Sequence, residues 1–131
     1  MSRAAILIVD DDEDILYFFR VLLEENGYTV DTAQTGQEAL EKAESNRYDL
    51  ILLDYKLSDS HGGVIADKIT QMDESVQIIY ITGYSMNGKV PRSELVKKVL
   101  VKPIPENVLL RTVDEAVASK EIEQNVGGEQ I

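Results

Sequence analysis

Four short apolar runs, each ending abruptly in a polar or charged residue, limit what this chain can fold into. Leu50-Ile51-Leu52-Leu53 runs into Asp54. Ala5-Ile6-Leu7-Ile8-Val9 runs into Asp10-Asp11, Ile78-Ile79-Tyr80-Ile81 into Thr82, and Val99-Leu100-Val101 into Lys102-Pro103. Runs this apolar and this short suit strands covered on both faces, the usual environment of a parallel sheet. In open α/β sheets the ligand site lies outside the carboxyl ends of the strands. The four endings would then bring three acids, a hydroxyl and an amine to one edge.

The segments between the runs read as helices. Ile15, Phe18, Phe19, Leu22 and Leu23 recur at helical spacing and predict one buried face, closed by Asn26-Gly27. Asp12, Glu13 and Asp14 read as a solvated helix start, favoured there by the macrodipole. Tyr28 to Thr32 alternates instead of staying apolar, which predicts a strand at the sheet edge. Thr35 with Glu38 forms a capping box ahead of Ala39, Leu40 and Ala43. Ile65, Ile69 and Met72 mark a third helix. Between Thr82 and Lys102 only Ser93 to Lys98 looks helical, so this fourth helix is expected to be short or mobile. Pro105 opens a final helix with Leu109, Val113, Ala116 and Val117 inward.

At 131 residues the chain is long enough for one domain, read as residues 1–121, followed by a disordered tail over 122–131 that lacks periodicity. Strand and helix alternate five times, which predicts an α/β, flavodoxin-like three-layer sandwich with helices on both faces of a five-stranded parallel sheet. The alternating second strand belongs outside and the apolar ones inside, giving the order 2-1-3-4-5. Its switch point lies between strands one and three, where Asp10, Asp11 and Asp54 fall.

A formal charge of −11 repels phosphate backbones and anionic lipid, which argues against direct nucleic-acid or membrane binding. Cysteine is absent, so there is neither a disulfide framework nor a thiolate metal site. The first apolar run is too short for a signal peptide or a membrane span, and a cytoplasmic protein is expected.

Three carboxylates held together repel one another, and a divalent cation relieves that repulsion. A few hard oxygen ligands with room for water suit Mg²⁺. Magnesium held in this way usually also holds phosphate oxygens, which points to phosphoryl chemistry. An aspartate can then act as nucleophile, while Lys102 neutralises one phosphoryl oxygen and Thr82 donates a hydrogen bond to another.

At this point the sequence resembles the receiver domains of two-component response regulators, over residues 4 to about 120. The resemblance is carried in order and spacing by Asp10-Asp11, Asp54, Gly62, Thr82 and Lys102-Pro103. It implies that Asp54 is the phosphoacceptor and that Asp11 and Asp54 bind Mg²⁺ directly, with Asp10 helping through water. It further implies the backbone carbonyl of Lys56 as a ligand, Thr82 and Lys102 on the phosphoryl group, and a cis Lys102-Pro103 bond. The phosphoryl donor would be a phosphohistidine on a sensor histidine kinase or phosphotransfer protein. The output would be a conformational shift read by a downstream protein of unknown identity. Such a domain is a self-phosphorylating signalling module with slow autodephosphorylation, and no output domain is expected within this chain.

Two positions depart from the family pattern. Ser58 stands where many receivers have proline, which predicts a less rigid loop after Asp54. Val99 stands where an aromatic often turns inward on activation. Lys56 and Tyr84 lie two residues beyond Asp54 and Thr82, where bulky side chains can shield the phosphoryl group from water. His61 is expected to be solvent-exposed, and Tyr80 and Tyr84 could form a docking patch. Two other readings stay open here. Asp10 and Asp12 have the Asp-x-Asp spacing of a haloacid dehalogenase-type hydrolase, although Asp14 stands where a hydroxyl residue is usual. A pseudo-receiver would bind partners without phosphate.

Overall fold

The computed structural model describes residues 3–83 and 96–129. Strands and helices follow one another as β1 (Ala5–Val9), α1 (Glu13–Glu25), β2 (Thr29–Ala33), α2 (Gly36–Ser45), β3 (Leu50–Asp54), α3 (Gly62–Met72), β4 (Gln77–Thr82), β5 (Val96–Val101) and α4 (Glu106–Glu129). The strands form one parallel sheet in the order β2-β1-β3-β4-β5. This is the flavodoxin-like arrangement that the apolar runs predict.

Burial explains the order. Every residue of β3 and β4 is buried, whereas β2, at the edge, is buried only at Val30 and Ala33. One face of the sheet presents Ile6, Ile8, Leu50, Leu52, Ile79 and Ile81 to α1 and α4, which contribute Leu16, Phe19, Leu23, Leu109, Val113 and Val117. The other presents Leu7, Val9, Ile51, Leu53, Ile78 and Tyr80 to α2 and α3, through Ala39, Ile65, Ala66 and Ile69. Each of the larger apolar side chains contributes about 1.5–3 kcal/mol by leaving water, so the strand ends are fixed from both sides.

Helix boundaries follow local chemistry. Asp12 caps α1, its carboxylate accepting from the N–H groups of Asp14 and Ile15. The helix ends at Asn26, and Gly27 turns the chain at a φ of 92°, a conformation that disfavours a Cβ. At α2, Thr35 Oγ1 accepts from the Glu38 N–H at 3.1 Å. The Glu38 carboxylate reaches back one residue further than a capping box requires, to the Gln34 N–H at 2.8 Å.

Several expectations need correction. Phe18 is 47% exposed, and Leu16 takes the buried place on α1, because the stripe facing the sheet runs through Leu16, Phe19 and Leu23. Met72, at the last turn of α3, is also exposed. Tyr80 is buried against α3 and offers no docking surface. Val96, Lys97 and Lys98, read as the end of a helix, belong to β5, which pairs with β4 from Ile78 to Thr82 with one register shift. A partner strand outweighs the short helical pattern there. The remainder of that expected helix, with Tyr84, lies outside the described residues. The backbone of α4 runs on through 122–129, in keeping with the helix-forming Glu121, Glu123 and Gln124.

The exchange of roles between Phe18 and its neighbour is testable. Phe18→Ala should change unfolding free energy by within about 0.5 kcal/mol, whereas Phe19→Ala should lose about 3–5 kcal/mol. Urea titrations of both variants measure the difference.

Candidate functional site

Sheet register brings the acids together. Val9 pairs with Leu53 across β1 and β3, so Asp10 and Asp54 leave their strands side by side at the switch point. Asp10 is fully buried, Asp54 nearly so, and Asp11 is exposed. Carboxylate oxygens of all three lie within 4.8 Å of one another. Backbone hydrogen bonds hold the two buried acids. The Asp10 N–H donates to the Ala33 carbonyl at 3.0 Å, and Asp10 Oδ1 accepts from the Asp12 N–H at 2.9 Å. Asp54 Oδ1 accepts from the Lys56 N–H at 3.1 Å.

The countercharge arrives from the far side of the sheet. Thr82 is buried at the end of β4, and its carbonyl accepts from the Lys102 N–H at 2.7 Å. The Lys102-Pro103 peptide that follows is cis. The Lys102 ammonium lies 2.6 Å from Asp10 Oδ2 and 3.3 Å from Asp54 Oδ2. Asp10 Oδ2 is buried and has no well-aligned hydrogen bond among the described residues, so the ammonium is its main compensation.

Electrostatics show the strain in this arrangement. Burial raises the Asp54 pKa above the ordinary carboxylate value, and the Asp10 charge adds to the rise, against the Lys56 N–H and Lys102. Burial acts to lower the Lys102 pKa, but its contacts with Asp10 and Asp54 outweigh this and raise it. One ammonium thus faces two buried carboxylates and a third, exposed one. A hard divalent cation fits this set, because the donors are all oxygen, one buried oxygen lacks a good hydrogen bond, and Asp11 leaves the cluster open to water.

Beyond Asp54 the chain makes a tight hairpin. Lys56 and His61 form an antiparallel bridge, Leu57 N–H donates to the Ser60 carbonyl, and Gly62 N–H reaches the Tyr55 carbonyl at 2.6 Å. A Cβ on Gly62 would sit 2.7 Å from Tyr55 Cα and 2.8 Å from the Asp54 carbonyl oxygen, so this close approach requires glycine. The Tyr55 ring meets Tyr80 edge-on at 5.2 Å and tilts over His61 at 6.0 Å. His61 is exposed, as expected. Val99 is half-buried and pairs in register with Tyr80, an aromatic residue supplied by β4.

Sequence reasoning missed two residues here. Asp12 is a working helix cap as well as a solvated acid, a role that its place before the first helical turn could have signalled. Asp59, in the hairpin tip, accepts from the N–H groups of Gly36 and Gln37 at 2.8 and 3.1 Å. No local pattern connects residues so far apart in the chain.

With this geometry in view, comparison with known proteins identifies the class. The family model of the response regulator receiver domain matches residues 6–114. The chain belongs to that family. The response regulator ArlR of Staphylococcus aureus is 44% identical over 80 residues, which are 61% of this chain and 36% of that protein. This chain therefore corresponds to about a third of the curated relatives it matches. A receiver domain protein of Methanospirillum hungatei is similar in structure, with a TM-score of 0.82, 31% identity, and coverage of 91% of this chain and 97% of that one. The response regulator TrrA of Thermotoga maritima, described in complex with Mg²⁺ and BeF, has a TM-score of 0.79, 33% identity, and coverage of 88% and 99%. No helix among the described residues is long and apolar enough to cross a membrane.

Removing the Lys102 ammonium should leave the acids uncompensated. Lys102→Ala is expected to lose about 1–3 kcal/mol of stability. Added Mg²⁺ should raise the melting temperature of this variant more than that of the parent protein. Thermal melts with and without the ion provide the check.

Proposed function

We propose that this receiver domain accepts a phosphoryl group on Asp54 from a phosphohistidine of a sensor histidine kinase or phosphotransfer protein. The observation that carries the reading is the paired placement of Asp10 and Asp54 at adjacent strand ends, with one lysine ammonium between them. The family supports it, since response regulators receive phosphoryl groups from histidine kinases. TrrA, a relative described with Mg²⁺ and BeF, supports the choice of ion.

In this reading Asp10, Asp11 and Asp54, with the Lys56 carbonyl, hold Mg²⁺. Held there, the ion would supply positive charge to offset that of the acids and of a phosphoryl group during transfer. A lone pair of Asp54 forms the new bond to phosphorus. The bond from phosphorus to the donor nitrogen breaks, its electron pair leaving with the imidazole, and an acyl phosphate remains. Asp54 needs no general base, because attack requires its carboxylate form and the domain only positions it. Lys102 exchanges its contact with Asp54 for a phosphoryl oxygen while remaining beside Asp10. Thr82 donates its hydroxyl to a second phosphoryl oxygen. The gain or loss of these contacts shifts a two-state equilibrium that a downstream protein reads.

The hydrolase reading has less support. Asp12, the second acid of its motif, is committed to capping α1, whereas Asp54 lies inside the buried cluster.

Incubation with Mg²⁺ and a small-molecule phosphodonor should add one phosphoryl group to the intact mass. Asp54→Asn, or omission of the ion, should abolish the addition. A phosphoryl adduct that survives in Asp54→Asn would overturn the assignment. The Lys56 side chain is exposed beside the site. Replacing Lys56 and Tyr84 together with small polar residues should shorten the lifetime of the phosphorylated protein, measured by decay of the same adduct.

A further inference from the structure

We propose that Asp59 is a positioning residue, which ties the hairpin after β3 to the first turn of α2 and so fixes the Lys56 carbonyl and the Asp54 carboxylate. The role of those two groups rests on the receiver reading above.

The hairpin needs an external tie. Ser58 and Asp59 at its tip are exposed, and position 58 lacks a proline that would stiffen the backbone. Within the hairpin only Leu57 is buried in the core. Asp59 supplies the tie through both carboxylate oxygens, Oδ1 to the Gly36 N–H at 2.8 Å and Oδ2 to the Gln37 N–H at 3.1 Å. These two N–H groups open α2 and have no partner within the helix. The Gly36 N–H holds the Asp59 pKa below the ordinary carboxylate value, so the tie is charged at neutral pH.

The loop and helix also fit closely. A Cβ on Gly36 would lie 2.3 Å from Ser60 Oγ and 2.7 Å from Ile65 Cδ1, so the glycine lets the hairpin approach the helix start. The tie then closes a circuit around the switch point. From Asp54 it passes through the Lys56 N–H and the hairpin to Asp59, and across to Gly36. From Gly36 it runs back along the β2–α2 turn to Ala33, whose carbonyl accepts from the Asp10 N–H. Both buried acids are therefore held within one circuit of hydrogen bonds and short backbone segments, and the Asp59 bonds join its two halves.

The test uses the full chain as parent, Asp59→Ala and Asp59→Asn, with amide hydrogen exchange followed by NMR and a titration with Mg²⁺ alone. In Asp59→Ala, exchange should quicken about tenfold at Leu57 and Gly62 as well as at Gly36 and Gln37. The Mg²⁺ concentration for half-saturation should rise about tenfold, the scale expected when support behind a metal ligand is lost. Asp59→Asn keeps one acceptor oxygen and should fall between parent and Asp59→Ala in both measurements. If only Gly36 and Gln37 lose protection, while Leu57, Gly62 and the Mg²⁺ titration keep parental values, Asp59 is a helix cap alone and the proposal is overturned. If the parent binds no Mg²⁺ but Leu57 and Gly62 respond, the metal-site reading fails and the positioning role stands.

Discussion

The contact of Lys102 with Asp10 and Asp54 is the interaction on which the rest of this structure turns. Two carboxylates buried at adjacent strand ends would be costly alone, and one ammonium from another strand makes their burial tolerable. That requirement fixes more than the site. Lys102 reaches the acids only if β5 runs beside β4 to its end, where the Thr82 carbonyl takes the Lys102 N–H. It also needs β1 and β3 to be neighbours, which the switch in strand order provides. The compensation is incomplete, since Asp54 is still pushed toward its neutral form and Asp11 adds a further charge. The site is thus left short of positive charge.

Most of this was legible in the sequence because it depends on burial. Strands covered on both faces must be apolar throughout, so the runs ending in Asp10, Asp54 and Thr82 announced both the sheet and the place where their polar ends meet, whereas β5, ending before Lys102, is an edge strand with Val101 half exposed. The edge position of β2 followed from its alternation for the same reason. Where one apolar residue could substitute for another, the sequence was less informative. Phe18 and Leu16 both suit an amphipathic helix, and the packing of α1 on the sheet turns Leu16 inward. Tyr80, read both as part of an apolar strand and as a surface aromatic, takes the first role, since α3 covers that face of β4. The start of β5 was missed because Val96 to Lys98 has no apolar signature of its own, and its strand character comes from pairing with β4.

The hairpin after β3 shows a different limit. Its composition reads as an unstructured loop, with Ser58 in place of a proline. Yet it is tied at its base by Lys56 and Gly62 and at its tip by Asp59. None of these bonds depends on hydrophobic pattern, and Asp59 acts on the first turn of α2, which precedes it by more than twenty residues. Order in polar segments comes from particular hydrogen bonds, which periodicity does not record.

The burial of the site also sets the direction from which chemistry can reach it. Asp10 is enclosed, Asp54 nearly so, and the sheet lies beneath both. Asp11 is exposed and the Lys102 side chain partly so, and among the described residues they mark an exposed side of the site. On the proposed reading the donor approaches over that side, in line with a lone pair of Asp54, while the fixed backbone behind the acids keeps the carboxylate from retreating. Charge favours such an approach only when a cation is already present, because a phosphoryl group is negative and so is the cluster of three acids and one lysine. Ion binding would therefore come before transfer, an order imposed by the electrostatics of three acids and one lysine.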